Sequence, residues 1–198
     1  MNCLKVRTNA VPKEFTEKYG SNHIGGIDCA NGYIYAPVEG KVDGKHLYNF
    51  ILLYDCKTLK YTGIYYDMSS EYLTDGIPWC AIDRENGYLY TSQFHNVGEI
   101  LQYDLETMTF LRAIPLEEKL DRIQGGSVYN GMLYLSYDAA NSTQEQIIAV
   151  DPNTGRFAWS SQDIARTMTT RRRMSAFIPW RTARCSMLSI MISSSTRM

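Results

Sequence analysis

The sequence lacks the features that mark membrane-spanning, secreted and zinc-binding proteins. No apolar stretch reaches the roughly 18 residues that a bilayer-spanning helix needs, and the first fifteen residues hold no apolar core of the signal-peptide kind. The five cysteines form no Cys-x-x-Cys pair, and no histidine stands at metal-ligand spacing from them. We therefore expect no membrane partner, a cytoplasmic location by default, and free buried thiols.

Acidic residues are absent from residues 166–198, which carry seven arginines. Residues 1–165 hold 13 basic and 21 acidic groups, so the main part of the chain has a net charge of −8. Nucleic-acid binding needs a basic surface that neutralises phosphates, and this acidic body offers none. We therefore expect no nucleic-acid partner.

Three copies of one pattern occupy most of the chain, at residues 23–66, 75–114 and 123–159. Each copy has a Gly-containing segment, an Asn-Gly pair, an alternating strand, and a further strand that ends in Tyr-Asp or Val-Asp. The Asn-Gly pairs begin at Asn31, Asn86 and Asn130, and the terminal aspartates are Asp55, Asp104 and Asp151. Asn-Gly favours a tight type I′ hairpin turn. Asp favours the start of a turn, because its side chain accepts hydrogen bonds from nearby backbone N–H groups. Each copy is therefore predicted to form four short strands.

A repeated four-stranded meander of about 40–50 residues is typical of a β-propeller blade. A β-sandwich is the alternative, but it has no need to repeat its turns in the same order three times. We predict an all-β fold, a partial β-propeller of about three four-stranded antiparallel blades over residues 21–165. Residues 1–20 would be the remnant of a preceding blade, with a strand at 4–8, or an N-terminal extension. Since propellers use about four to eight blades, we expect a truncated product, or a ring completed by oligomerisation.

The pattern Asn-Gly-[Tyr/Met]-[Ile/Leu]-Tyr followed by [Tyr/Val]-Asp-x-x-Thr resembles the broad family of WD40-like, YVTN-type and quinoprotein-type propellers. The resemblance covers roughly residues 20–160 and includes the gluconolactonase and regucalcin-like group. A Gly-His…Trp-Asp pair is missing, so the resemblance stops short of a true WD40 repeat. Lactonases of that group hold a divalent metal with Glu, Asn and Asp. Of these metal ligands, the resemblance implies only two in this sequence, Asp28 and Asp75.

The first strand of each blade usually lines the central channel of a propeller, so its polar residues are the candidate site. We predict binding residues at the channel mouth, namely His23, Asp28, Asp75, Trp79 and Gln124. No cofactor is expected; a divalent cation such as calcium is the alternative, although two acids are few for a hard cation. The three histidines, His23, His46 and His95, are interpreted as surface or turn residues. No nucleophile elbow, phosphate loop or dinucleotide motif is present, so catalytic residues cannot be assigned.

The basic segment 166–198 breaks the repeat. Asp and Glu codons read one register off give Thr, Met and Arg, the residues in which this segment is rich. A back-reading of residues 179–192 in the other frame permits a strand, a turn and a strand ending in Tyr-Asp. We interpret residues 166–198 as a frameshifted or disordered tail; a genuine basic tail that binds acidic partners is the alternative.

Two classes of function follow from the sequence. The first is a non-enzymatic propeller module that binds a protein or a small-molecule ligand. The second is a fragment of a lactonase-like or quinoprotein-like propeller enzyme, so an enzymatic activity stays open at this stage.

Overall fold

Three antiparallel β-sheets, one of five strands and two of four, follow one another along the described part of the chain. The computed structural model describes residues 6–138 and 145–160. Within these ranges one helix, α1 (Lys13–Tyr19), precedes thirteen strands. The first unit comprises β1 (His23–Ile24), β2 (Asp28–Ala30), β3 (Tyr33–Val42), β4 (Lys45–Asp55) and β5 (Tyr61–Asp67). The second comprises β6 (Ala81–Asp83), β7 (Tyr88–Thr91), β8 (Val97–Asp104) and β9 (Phe110–Leu120). The third comprises β10 (Ile123–Tyr129), β11 (Met132–Asp138), β12 (Glu145–Val150) and β13 (Phe157–Ser160).

Every sheet is an antiparallel meander, and we call the three sheets blades 1, 2 and 3. In blade 1 the innermost strand is interrupted, because β1 and β2 both pair with β3. At the interruption, the Gly26 N–H donates to the Pro78 carbonyl and the Cys80 N–H donates to the Gly26 carbonyl. A Cβ on Gly25 would overlap the Pro78 carbonyl oxygen. The glycines thus allow the inner strands of blades 1 and 2 to approach closely, as glycines inside strands often do.

The hairpins β2–β3, β6–β7 and β10–β11 turn at one end of the sheets, which we call the turn edge. Asn31 and Gly32 have φ of 51° and 82°, and Asn130 and Gly131 have φ of 48° and 72°. These values confirm two of the three predicted type I′ turns. The prediction for blade 2 is wrong in detail, because only Gly87 of the Asn86-Gly87 pair has a positive φ. The connection there is longer, and its closing hydrogen bond runs from the Gly87 N–H to the Asp83 carbonyl.

The three predicted aspartate turns also lie at the turn edge, and each is confirmed. Asp55 Oδ1 accepts the N–H of Thr58 at 2.6 Å, and Asp104 Oδ1 accepts the N–H of Thr107 at 2.8 Å. Asp151 Oδ1 accepts the N–H of Asn153 at 2.9 Å. The side chain of the strand-ending aspartate therefore fixes the turn into the outermost strand of every blade.

Apolar side chains form one layer between each pair of neighbouring blades. Ile51 and Leu53 of blade 1 pack with Ile82 and Leu89 of blade 2. The opposite face of blade 2 packs on blade 3 through a second cluster, whose members include Ala81, Tyr90, Ile100, Leu133, Leu135 and Ile148. Successive side chains of a strand point to opposite faces of the sheet. Alternate residues of blade 2 therefore pack against blade 1 and against blade 3.

Helix α1 covers the face of blade 1 that points away from blade 2. Phe15 is buried there in a cluster with Val38, Phe50 and Leu52. Its ring meets the Phe50 ring edge-on at a centroid distance of 5.1 Å. Gly20 ends the helix in the left-handed conformation that favours glycine. The expected strand at 4–8 is not present in its described part, residues 6–8, and the helix was not predicted.

Several sequence-based predictions concern residues outside the described ranges. The tail interpretation falls on residues 166–198, which lie wholly outside them, so it stays a prediction. The proposed boundaries at residues 20 and 165 stay predictions as well. Among the described residues, no helix has both the length and the apolar character to cross a membrane.

Candidate functional site

A cleft of about 610 Å³ opens at the end of the sheets opposite the turn edge, which we call the loop edge. The hairpin β3–β4 and the loops between blades meet there. The cleft is lined by β1, by that hairpin, by the connection between blades 1 and 2, by the β7–β8 loop and by Gln124 at the start of β10. Its volume lies in the usual range of about 300–1,000 Å³ for ligand pockets.

Histidines and carboxylates alternate along the cleft wall. The order is His23, Glu39, His46, Asp75 and His95. His23 Nδ1 lies 3.9 Å from Glu39 Oε1, and His46 Nδ1 lies 3.2 Å from Glu39 Oε2. The His46 ring continues the series, because its Nε2 lies 4.0 Å from Asp75 Oδ1. All three histidines of the sequence thus gather at one site, although the sequence suggested separate surface or turn positions.

Asp75 and His95 form the tightest pair in this series. His95 Nδ1 lies 2.6 Å from Asp75 Oδ2, and the backbone N–H of His95 donates to the same oxygen at 3.1 Å. The Phe94 N–H donates to the Asp75 carbonyl, which ties the β7–β8 loop to the connection between blades. The His95 side chain is 53% exposed, so its ring is oriented by a carboxylate while it remains open to solvent.

Glu39 and His46 are held differently, because their polar atoms are half-buried and poorly paired. Among the described residues no side chain or backbone N–H makes a hydrogen bond to the Glu39 carboxylate. His46 Nδ1 is buried and makes no hydrogen bond among the described residues, although Glu39 Oε2 lies 3.2 Å away. Gly76, at φ +86°, leaves the room for this pair: a Cβ there would overlap Glu39 Oε2 and lie 3.0 Å from His46 Nδ1.

The predicted site residues divide between the cleft and other places. His23, Asp75 and Gln124 line the cleft. Asp28 lies on the other side of the Gly25-Gly26 break, where its Oδ2 accepts the Ile82 N–H at 2.8 Å and its Oδ1 receives the Arg84 guanidinium. These bonds join blades 1 and 2, so Asp28 is engaged in holding the sheets together.

Trp79 does not line the cleft. Its side chain is 0% exposed, and its indole N–H donates to Ser92 Oγ at 2.9 Å. Gly126 of blade 3 packs against the ring, since a Cβ there would lie 2.7 Å from two ring carbons. The tryptophan therefore belongs to the core between blades 2 and 3.

Glu39, Lys41, His46, Phe94 and His95 line the cleft but were not among the predicted site residues. A signal for the first three was present in the sequence. Asp43-Gly44, with φ of 51° and 77°, forms the tip of the long hairpin β3–β4, and Asp-Gly is a strong hairpin signal. Recognising that turn would have placed Glu39 and His46 on paired strands.

Three or more His, Cys, Asp or Glu side chains arranged to hold a metal ion do not occur among the described residues. The two predicted metal ligands, Asp28 and Asp75, have separate partners: Arg84 for the first and His95 for the second. A metal at these two positions therefore receives no support from their geometry.

Similarity to known proteins is found among solved structures. No family model matches the sequence, and no curated protein matches it significantly. Among solved structures, the chain is similar to the WD40 repeats of RRP9 at 11% identity, with 70% of this chain and 39% of that chain covered and a TM-score of 0.45. It is similar to Sqt1 of Saccharomyces cerevisiae at 14% identity, covering 69% of this chain and 35% of that chain, with a TM-score of 0.44. A nidogen/laminin complex matches at 15% identity over 68% of this chain and 45% of that chain, with a TM-score of 0.46.

The described part of the chain is a segment of a β-propeller with three blades. Its own architecture carries that conclusion: three consecutive antiparallel meanders stack face to face, and their first strands lie side by side. The chain spans about two fifths of the length of the solved structures it matches. Membership of the lactonase-like group stays a prediction.

Proposed function

We propose that the chain is part of a ligand-binding propeller module and that the loop-edge cleft receives the ligand. The observation that carries the proposal is the gathering of three histidines and two carboxylates, from four separate segments, around one cleft. A concave site with a few convergent polar groups is the usual form of a binding site. The ligand is a small molecule or a side chain of a partner protein.

A fragment screen by NMR on the full 198-residue chain tests this proposal. The probes are small amines, carboxylic acids, sugars and aromatic amides, observed through backbone amide shifts. We expect shift changes to cluster at His46, Phe94 and Gln124, with little change at the turn-edge residues Asn31 and Asn130. Fragments that cluster at the turn edge, or that perturb no residue of the cleft, would contradict the proposal.

An enzymatic function is the second candidate, and the Asp75–His95 pair is the observation that favours it. A carboxylate on Nδ1 orients an imidazole as a general base through its other nitrogen. Neither Ser nor Cys lines the described cleft, so such a base would activate water. Hydrolysis of gluconolactone, followed by proton release, would show a rate above buffer that His95→Gln abolishes. Equal rates for the chain, the variant and buffer alone would leave the binding module as the better function.

A further inference from the structure

The alternating histidines and carboxylates of the cleft wall, which we call the histidine–carboxylate series, connect four separate segments of the chain. The members are His23 on β1, Glu39 and His46 on the two strands of the hairpin β3–β4, Asp75 in the connection between blades 1 and 2, and His95 in the β7–β8 loop. The His46 ring lies between the two acids, and each outer histidine contacts one acid. A change in the charge of this series therefore acts on all four segments.

The centre of the series lacks a hydrogen bond that a second proton on His46 would supply. His46 Nδ1 is buried 3.2 Å from Glu39 Oε2 and makes no hydrogen bond among the described residues, and His46 Nε2 lies 4.0 Å from Asp75 Oδ1. The Gly76 backbone closes this point, since a Cβ there would overlap Glu39 Oε2 and lie 3.0 Å from Nδ1. A neutral imidazole has one N–H and can serve one acid, whereas an imidazolium has two and can serve both.

We propose that the series is a pH-operated latch, in which protonated His46 holds the β3–β4 hairpin against the connection between blades 1 and 2 and neutral His46 releases it. With all three histidines charged, positive and negative groups alternate along the series, so each neighbouring pair attracts. Histidine is the side chain that ordinarily changes charge between pH 5 and 8. The inference concerns the free chain, and it holds whether or not the cleft binds a ligand.

The charged groups around His46 decide the direction of the effect. Glu39 on β3 and Asp75 in the connection face its two ring nitrogens, and both are negative when ionised. Lys41 lies opposite His46 in the strand register and adds a like charge, and the other two histidines stand beyond the acids. Because the two nearest charges are negative, the latch is closed at low pH, where His46 is charged. It opens as the pH rises through the range in which His46 loses its proton.

Asp75 is the member of the series that moves when the latch closes. Its Oδ2 is held by the His95 ring at 2.6 Å and by the His95 backbone N–H at 3.1 Å, while its Oδ1 receives no hydrogen bond among the described residues. The distance from Oδ1 to His46 Nε2 has to shorten from 4.0 Å to about 2.8 Å. Asp75 lies outside the strands and its side chain is 35% exposed, so this movement breaks no sheet hydrogen bond.

Hydrogen exchange of the full 198-residue chain tests the latch, followed by NMR at about pH 5.5 and pH 7.5, on either side of the usual histidine titration. Each rate is divided by the intrinsic exchange rate at that pH to give a protection factor. We expect the amides of residues 41–46 and 94–96 to be about threefold more protected at the lower pH, the size of effect that a partly exposed ion pair gives. The turn-edge amide of Thr107 should be equally protected at both. At intermediate pH the change should follow the ring signals of His46 rather than those of His23.

Three variants separate the latch from a general effect of pH. His46→Gln keeps a polar side chain without a titratable charge and should abolish the difference in protection. His23→Gln, at the 62% exposed end of the series, is the matched control and should leave most of the difference in place. Asp75→Asn removes an acid instead of the histidine and should also abolish the difference, which keeps the test valid if His46→Gln fails to fold. Circular dichroism checks the fold of each variant.

Equal protection of the parent chain at the two pH values would overturn the latch, and so would greater protection at pH 7.5. A difference that persists in folded His46→Gln, or in folded Asp75→Asn, would overturn it as well. The fragment screen succeeds or fails independently of these results, so the latch and the proposed binding function are tested separately.

Discussion

The two ends of the blades are built on different principles. At the turn edge each connection is closed by residues next to it in sequence: Asp104 accepts from Thr107, and Asp83 accepts from Asn86. At the loop edge the cleft gathers His23, Glu39, Asp75 and His95 from separate segments, and the neighbouring His46 Nδ1 is buried without a hydrogen bond among the described residues. The difference indicates that the turn edge contributes to stability, and it is consistent with the binding proposed for the loop edge.

The largest expected effect concerns Trp79, a predicted channel residue that the fold places in the core. We expect Trp79→Ala to lower the free energy of unfolding by about 3–5 kcal/mol, because a large buried ring leaves a cavity. Gln124→Ala at the cleft is the matched change and should cost no more than about 0.5 kcal/mol. Urea unfolding of both variants measures the difference. Equal losses would show that Trp79 is not a core residue.

The next prediction compares two aspartates at opposite edges. Asp83 is 4% exposed and accepts the N–H groups of Glu85 and Asn86 at 3.1 Å each. Asp83→Ala should cost about 1–3 kcal/mol, since it leaves these donors without an acceptor. Asp75→Ala at the loop edge should cost less than about 1 kcal/mol, because its partner is a solvent-exposed histidine. A larger loss for Asp75, measured in the same urea series, would reverse the assignment of the two edges.

A smaller effect is expected from pH at the turn edge. The hydrogen bond from the Thr107 backbone N–H lowers the pKa of Asp104 below its ordinary value. The folded state therefore favours the ionised form, and this stabilisation is present above the unfolded pKa of about 3.9 and is lost as the pH falls through the folded pKa. Asp104→Asn should melt at a slightly lower temperature than the parent at pH 7, and the two melting curves should converge toward pH 3. Parallel curves over that range would argue against the turn's electrostatic contribution.

The smallest expected effect on stability is that of Glu39→Gln. The carboxylate receives no hydrogen bond among the described residues, so its neutral counterpart should change the free energy of unfolding by no more than about 0.5 kcal/mol. The thermal midpoint of the variant, measured beside the parent chain, checks this. A loss of several degrees would show that Glu39 contributes to the fold, and its unpaired state would then need another explanation.

The turn edge was predictable because its chemistry is local. The geometry of the Asn-Gly and Asp-x-x-Thr turns follows from the residues within each turn. The exception is the blade 2 hairpin, where Asp83 closes a longer connection around Asn86. The loop edge was only partly predictable. In the sequence, Asp75 and His95 lie on either side of the β6–β7 hairpin. Glu39 is in blade 1, whereas Gly76, which it contacts, is in the connection to blade 2. Trp79 was misplaced because an inner strand presents alternate side chains to the core, and spacing alone does not tell which ones.

Helix α1 covers the outer face of blade 1 with its own side chains. Blades that associate head to tail could continue indefinitely if both outer faces were available, since heterologous contacts form filaments unless they close. Phe15 already fills the hydrophobic surface at the first blade, in the manner of a terminal cap on a repeat protein. The outer face of blade 1 is therefore closed to a further blade. Phe15→Asp should expose this apolar face and favour association through it.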